Sequence, residues 1–527
     1  MGSCISGIRI VSLRSKYNFI IVFSMAAQLH KAIYFDDYQS EKGKAKSFAL
    51  AFTEDEADLF KKVGQLSSYA IKKILKCDTY SVLKKKADRD GRSVNQYAKR
   101  IIAKHINKVD VPSFQTKDVT FGNSKDVPFQ RWYPYIEGYS PSFVDALIDK
   151  YCPNAKLIYE PFAGTGTTIF SADRKGIPTF YSEVNPLLQV LIDTKISVMK
   201  LSSSKRQALA SKLVYINDNL FATLAKTSPA ENLRTSYYRV FGKSVYFPED
   251  QFEQALRLKT IIDGIEKDGD SLLAKVLNVA AFSCLIPISY LKKHGDLRFK
   301  TEKERQNEMV ILQDILPEKI KVIIEDIQNC QVNIHLNHKL IQGNAKNIGK
   351  STLKKKIDAV ITSPPYLNGT NYFRNTKLEL WFLSYLQSED DLRLYRDEAL
   401  TSGINDVKQE YSKQVNDLSS PLLDDTMMIL DKQAYDRRIP LMARCYFKEM
   451  HEVFQGLTKN LNDGADILVD LGDSIFSNVH IQTDLILLEI IEPLGFKLKS
   501  REILRQRRSR NGALLSQVLL VINYKKA

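Results

Sequence analysis

The sequence contains no Cys-x-x-Cys pair, and its seven histidines show no His-Glu-x-x-His or similar ligand spacing. Its six cysteines, Cys4, Cys77, Cys152, Cys284, Cys330 and Cys445, are scattered along 527 residues. This excludes a zinc ribbon and a disulfide framework, and it fits a reducing, cytoplasmic compartment with no structural metal. Internal repeats and long low-complexity tracts are also absent, so a solenoid is not expected. Acidic residues are in deficit: 61 Asp and Glu stand against 76 Lys and Arg, a formal charge of +15. Such an excess favours a polyanionic partner. The remaining composition, 44% hydrophobic and 26% charged, is that of a globular chain with two or three domains.

The N-terminus carries two patterns that we read as decoys. "MGSCIS" has Gly2 and Ser6 where a myristoylation signal has them. Arg9, Arg14 and Lys16 precede "FIIVFSMAA", which loosely resembles a signal peptide but is too short to span a bilayer. Residues 1–24 therefore read as an upstream extension before Met25, and no membrane association is expected. Residues 25–110 read as a small basic domain. "KSFALAF" alternates like a strand, and Tyr80–Ile106 reads as a helix, a glycine turn at Gly91 and a second helix with a Ser93/Gln96 capping box. That hairpin resembles the helical half of ribbon-helix-helix DNA-binding modules; a basic hairpin packed on the main domain is the other reading. Residues 111–200 and 331–527 alternate strand and helix patterns. Between them, 201–330 reads as a helical insertion, and 387–440 as a polar loop insertion.

Two short stretches carry the chemistry. The first is "EPFAGTGTT", at the end of an apolar strand. Gly164 and Gly166 allow a ligand to approach the backbone closely. No lysine follows Gly166, which rules out a Walker A loop, and Ile169 stands where a dinucleotide fingerprint has its third glycine. Phosphate cradling is thus unsupported. Glu183 ends the next expected strand, in "FYSEVNP", where a carboxylate can accept both hydroxyls of a ribose. Phe162, Gly164, Gly166, Thr167 and Glu183 together suit a nucleoside without phosphate, and S-adenosylmethionine is the obvious candidate. A tight strand–helix turn without ligand is the bland alternative.

The second stretch is "DAVITSPPYLNGTNYF", a buried-looking strand that runs into Ser363, Pro364, Pro365 and Tyr366. Two prolines stiffen the corner and leave carbonyls free to accept hydrogen bonds, and the tyrosine offers a flat ring beside them. Such a corner can hold a planar group that carries an amino group, as a nucleobase does. A proline-rich turn is the competing reading.

The pair "EPFAGTGTT" and "TSPPY" resembles the S-adenosylmethionine-dependent amino-methyltransferases of DNA, which methylate the exocyclic nitrogen of cytosine or adenine. The resemblance covers residues 128–196, 338–385 and 460–524. It implies an α/β fold, a Rossmann-like methyltransferase with a mostly parallel seven-stranded sheet, one antiparallel strand near the C-terminus, a helical insertion and a small N-terminal helical domain. It also implies that Asn344 in "IQGNA" lies near the cofactor adenine, and that Ser140 and Pro141 in "EGYSPSFVDALI" close over its methionine end. The Ser363 side chain and the Pro364 carbonyl would accept the two amino hydrogens of a base flipped out of the duplex, with Tyr366 stacked on it. No Pro-Cys pair occurs, so ring-carbon methylation is not expected. In this family Ser-Pro-Pro-Tyr leans to cytosine N4, and Asp or Asn in the first place leans to adenine N6. The cofactor turn precedes the catalytic motif here, the reverse of many Ser-Pro-Pro-Tyr members.

Double-stranded DNA is the expected partner, with a cognate restriction endonuclease or defence partner beside it. Lys292, Lys293, Arg298, Arg374, Arg505, Arg507 and Arg508 are the candidate DNA contacts, the C-terminal arginines reading as phosphate ligands and 201–330 with 387–440 as the target-recognition region. Solvated charged faces are the alternative for each run. N6-adenine methylation, an RNA amino-methyltransferase and a non-catalytic DNA-binding protein that keeps the fold remain as rival functions.

Overall fold

In the computed structural model the described residues are four strands within positions 1–52, position 119, and positions 126–526 apart from 136–137, 331–333, 335, 368–371, 408–417 and 509–513. The chain divides into two compact units, Met1–Ser113 and Phe114–Ala527. In the first, β1 (Ile8–Ile10), β2 (Phe19–Ser24), β3 (Lys31–Asp37) and β4 (Lys46–Phe52) form an antiparallel sheet in that order. The alternating "KSFALAF" is β4, as its pattern suggests. Residues 1–24, read above as an extension, supply β1 and β2. The apolar run is rich in β-branched and aromatic residues and finds its partner in β3. The described part of this unit is thus a sheet, and the expected helical hairpin lies outside the described residues.

The second unit is built on a seven-stranded sheet. Its strands are β5 (Ile158–Glu160), β6 (Thr179–Ser182), β9 (Lys339–Gln342), β10 (Ile357–Thr362), β11 (Leu461–Gly472), β14 (Phe496–Arg508) and β15 (Leu514–Tyr524). Two small hairpins, β7 (Leu291–His294) with β8 (Asp296–Phe299) and β12 (Ser474–Phe476) with β13 (Val479–Ile481), lie outside it. The sheet order is β14-β15-β11-β10-β5-β6-β9. All neighbours are parallel except those of β15, which runs antiparallel between β11 and β14. This is the Rossmann-like arrangement the sequence suggests. The central strands read as near-continuous apolar runs because both faces are covered: in β10 every residue but Asp358 is buried.

From β5 the chain winds outward through β6 and β9, then returns to β10 on the other side of β5. The order of winding therefore reverses between β5 and β10. In open α/β sheets, ligands bind at the carboxyl ends of the strands that flank such a reversal.

Residues 201–330 are mostly helical, with helices at Ser203–Lys226, Glu231–Phe241, Glu249–Lys267, Ser271–Ile288 and Leu312–Gln328 around the β7/β8 hairpin in sequence. They share one core with the helix Pro186–Met199 and with the buried Trp381, which packs among Tyr237, Phe247 and Phe252. Ser271–Ile288 is the one described helix long and apolar enough to cross a membrane by length and composition; most of it is buried in this core. The stretch 387–440 differs from the expected loop. It contains helices at Asp391–Glu398 and Pro421–Gln433. The second starts at the Ser420 cap with Pro421 in its first turn, and Leu423, Met427 and Leu430, spaced one helical turn apart, are buried.

Candidate active site

The first wall of the site follows β5. The chain turns through Pro161–Gly166 and enters the helix Thr167–Arg174. Gly166 caps that helix at φ +87°, and a Cβ there would stand 2.9 Å from the Phe170 ring and 3.1 Å from Ile192. Conformation and close packing both demand glycine. Gly164, at φ +54°, lines the cavity, with Tyr135 alongside.

Glu183 sits just beyond β6 and ties this turn to the next. Its Oε2 accepts the Gly164 amide at 2.7 Å and its Oε1 accepts the Asn185 amide at 2.8 Å. Burial pushes this carboxyl up to about 7, against the pull of those two amides. Glu160, at the end of β5, is held from behind by the Phe162 amide, the Thr168 hydroxyl and the Tyr139 hydroxyl, and burial raises it to about 7 as well. Lys195 braces the turn from below: its buried Nζ donates to the Thr165 carbonyl at 3.0 Å, and desolvation lowers it to about 7.

The second wall follows β10. Ser363 Oγ donates to the Tyr366 hydroxyl at 3.5 Å, and that hydroxyl donates to Asp470 Oδ1 at 2.9 Å. Gln517 Nε2 donates to both oxygens of Asp470 at 2.8 Å. Asp470 lies near the end of β11 and Gln517 on β15, so the strands beyond β10 complete this wall. Burial raises the Tyr366 phenol well above its ordinary value and pushes Asp470 up to about 6.

The two walls enclose one cavity of about 270 Å³. Phe162, Gly164, Thr167, Glu183 and Asn344 border it on one side, and Ser363, Pro364, Pro365 and Tyr366 on the other. Two stretches about 200 residues apart in sequence thus meet at the point of winding reversal. The side chain of Asn344 is already engaged: Oδ1 accepts the Lys346 amide at 3.0 Å, and Nδ2 donates to Glu398 at 2.9 Å. Ser140 and Pro141 do not border the cavity. Ser140 is the buried cap of the helix Pro141–Tyr151, and the adjacent Gly138 and Tyr139 reach the cavity instead.

The basic candidates fall into two groups. Lys292 pairs with Glu304 and Glu308 at 3.2 and 2.6 Å, and Arg298 pairs with Glu304 at 2.7 Å. Lys293 Nζ donates to the Tyr133 hydroxyl at 3.1 Å, 3.7 Å from the buried Glu379. These cations are neutralised within the molecule. Arg374 is exposed on the short helix Tyr372–Asn375, outside the cavity wall. Arg505 and Arg507, two residues apart on β14, share one strand face and border the cavity, whereas the exposed Arg508 does not.

Sequence reasoning missed Asp470, Gly472, Gln517 and Tyr139. One signal was present for Asp470: an acid near the end of an otherwise apolar strand, "ILVDLG".

The chain matches no protein-family model. Two curated relatives, each named Type II methyltransferase M.AvaI, come from Nostoc sp. and Anabaena variabilis. Both are 24% identical over 445 residues, 79% of this chain and 89% of theirs. Type II methyltransferase M.BsoBI of Geobacillus stearothermophilus is 24% identical over 469 residues, with the same shares covered. These similarities support the resemblance to the DNA amino-methyltransferases. Its glycine turn, Glu183 and Ser-Pro-Pro-Tyr corner border one cavity.

Proposed function

We propose that the protein methylates the exocyclic N4 of cytosine within a specific DNA sequence, in the cytoplasm, as the modification half of a restriction or defence system. The observation that carries this reading is the meeting of the glycine turn and Ser363–Tyr366 around one cavity at the β5/β10 reversal.

The residues present fit S-adenosylmethionine. A carboxylate at Glu183 suits a ribose, and Gly164 leaves room for close approach without offering a lysine to a phosphate. Phe162, Gly164, Thr167 and Glu183 would hold it, and when bound it supplies an electrophilic methyl group. The protein's own task is to make a poor nucleophile attack. An exocyclic amine is delocalised into its ring. Acceptors at Ser363 Oγ and the Pro364 carbonyl would take its two hydrogens, shift the nitrogen toward sp³ and aim its lone pair. The cavity is recessed, so the base must leave the duplex, and Tyr366 is its stacking surface. Arg505 and Arg507 at the rim would take backbone phosphates.

Transfer of labelled methyl groups separates the substrates. Duplexes whose only cytosines or only adenines are unmodified should be labelled in the cytosine case. Label on the adenine duplex would overturn the N4 assignment, and label on RNA alone would overturn the DNA reading.

A further inference from the structure

Behind the catalytic corner lies a chain of hydrogen bonds that amine positioning does not require. Ser363 Oγ donates to Tyr366 Oη, Tyr366 Oη donates to Asp470 Oδ1, and Gln517 holds both oxygens of Asp470. Each hydroxyl donates onward toward the carboxylate, along one wall of the cavity.

We propose that Asp470 is the terminal acceptor of the proton released in methyl transfer, reached through Ser363 and Tyr366. The inference rests on the amino-methylation reading above. Attack forms a C–N bond with the nitrogen lone pair and breaks the donor's C–S bond, whose electrons stay on sulfur. The nitrogen is left with one proton too many. That proton passes to Ser363 Oγ, the serine proton passes to Tyr366 Oη, and the phenolic proton passes to Asp470 Oδ1. The products are a neutral methylated amine, an intact serine and tyrosine, and a protonated Asp470.

The surroundings of Asp470 suit such a role. It is 2% exposed, so a proton delivered there does not need bulk water inside the cavity. Burial disfavours its charge, while Gln517 from β15, the Tyr366 hydroxyl after β10 and the positive charge of Arg505 on β14 favour it. Tyr139, on the segment before the helix Pro141–Tyr151, is the other titratable group that senses it. The balance leaves Asp470 near 6: ionised before the reaction at neutral pH, yet able to hold a proton after it. Asp473, one residue beyond the end of that strand, is committed elsewhere, to His480 at 3.1 Å. The 3.5 Å link from Ser363 to Tyr366 is the longest in the chain, and catalytic hydrogen bonds commonly tighten once substrate is bound.

The test is single-turnover methyl transfer to duplex DNA across pH, for the full-length protein and its Asp470→Asn and Tyr366→Phe variants. Cofactor affinity and base extrusion, read by 2-aminopurine fluorescence beside the target, are measured in parallel. Wild type should lose rate as pH falls through about 6. Both variants should transfer about 10²-fold more slowly at neutral pH, with that acid limb gone and with affinity and extrusion unchanged. Wild-type rates and pH profiles in both variants would overturn the relay. So would a rate loss matched by an equal loss of extrusion, since Asp470 would then merely brace the Tyr366 ring. A wild-type protein that methylates no DNA would remove the parent reading and this one together, an outcome distinct from either of those.

Discussion

The ring of Tyr366 lies against Gly472. A Cβ on that glycine would stand 2.9 Å from Tyr366 Cδ2 and 3.1 Å from Cε2, closer than side chains tolerate. Gly472 is the last residue of β11, and two residues earlier Asp470 holds the same tyrosine by its hydroxyl. One strand end therefore fixes both the plane of the ring and its tip.

Gly472→Ala must displace the Tyr366 ring from its seat. Overpacking of this kind costs about 1–3 kcal/mol. Methyl transfer should fall roughly 10- to 100-fold for a matching loss of transition-state stabilisation. Cofactor affinity, measured by calorimetry, should stay within about twofold, because the glycine turn lies on the other wall. Equal losses in both would mean that the substitution had damaged the fold.

Glu183 does two things at once: it closes the glycine turn through Gly164 and Asn185 and faces the cavity. Glu183→Gln replaces one acceptor oxygen with a donor that must face an amide N–H. Hydrogen bonds to a charged group contribute about 1.5–3 kcal/mol. S-adenosylmethionine affinity should drop by about 10- to 100-fold, measured by calorimetry, and a double-stranded target should still bind.

The pH dependence of stability has two limbs of opposite sign. Glu183 titrates near 7 in the folded protein against 4.5 unfolded, so the native state holds more protons over that interval. Its contribution falls as pH rises from 4.5 through 7, by on the order of 3 kcal/mol in all. Glu160, also raised to about 7, acts in the same direction. Lys195 is lowered to about 7 from 10.5, so the native state holds fewer protons there and stability rises from 7 toward 10.5. Thermal unfolding without cofactor should therefore show a dip near neutrality. Lys195→Met should flatten the alkaline limb and leave the acid limb in place.

Salt dependence distinguishes the two groups of cations. Each phosphate contact contributes about 0.9 to the slope of log affinity against log salt. Replacing Arg505 and Arg507 together with alanine should lower that slope by about 2. Lys292→Ala should change it far less, because Glu304 and Glu308 already neutralise that charge.

Much of this was legible in the sequence because its determinants are local. Gly164, Gly166 and Glu183 belong to one strand–turn–helix–strand unit, and Ser363–Tyr366 are contiguous. The mostly parallel seven-stranded sheet was expected from the resemblance that these two motifs carry, whereas its strand order is seen only in the fold. Asp470, Gly472 and Gln517 were not legible because their meaning is non-local. They act on Tyr366 only once β11 has paired with β10 and β15, about 100 residues and more from the motif they serve. The ion pairing of Lys292 and Arg298 escaped for a different reason. Glu304 lies in the same basic run, but only the turn of β8 into the helix Glu302–Glu308 brings it onto both. Ser140 shows the opposite error: its Ser-Pro pair marks a helix start correctly, but the capping role consumes the side chain.

The most direct test is nucleoside mass spectrometry of unmethylated DNA incubated with the protein and S-adenosylmethionine, with Ser363→Ala alongside. The account predicts N4-methylcytosine from the wild type and about 10²-fold less from the variant, whose corner has lost an acceptor for the amine and the first donor of the chain to Asp470. N6-methyladenine as the product, or undiminished N4-methylcytosine from Ser363→Ala, would contradict it.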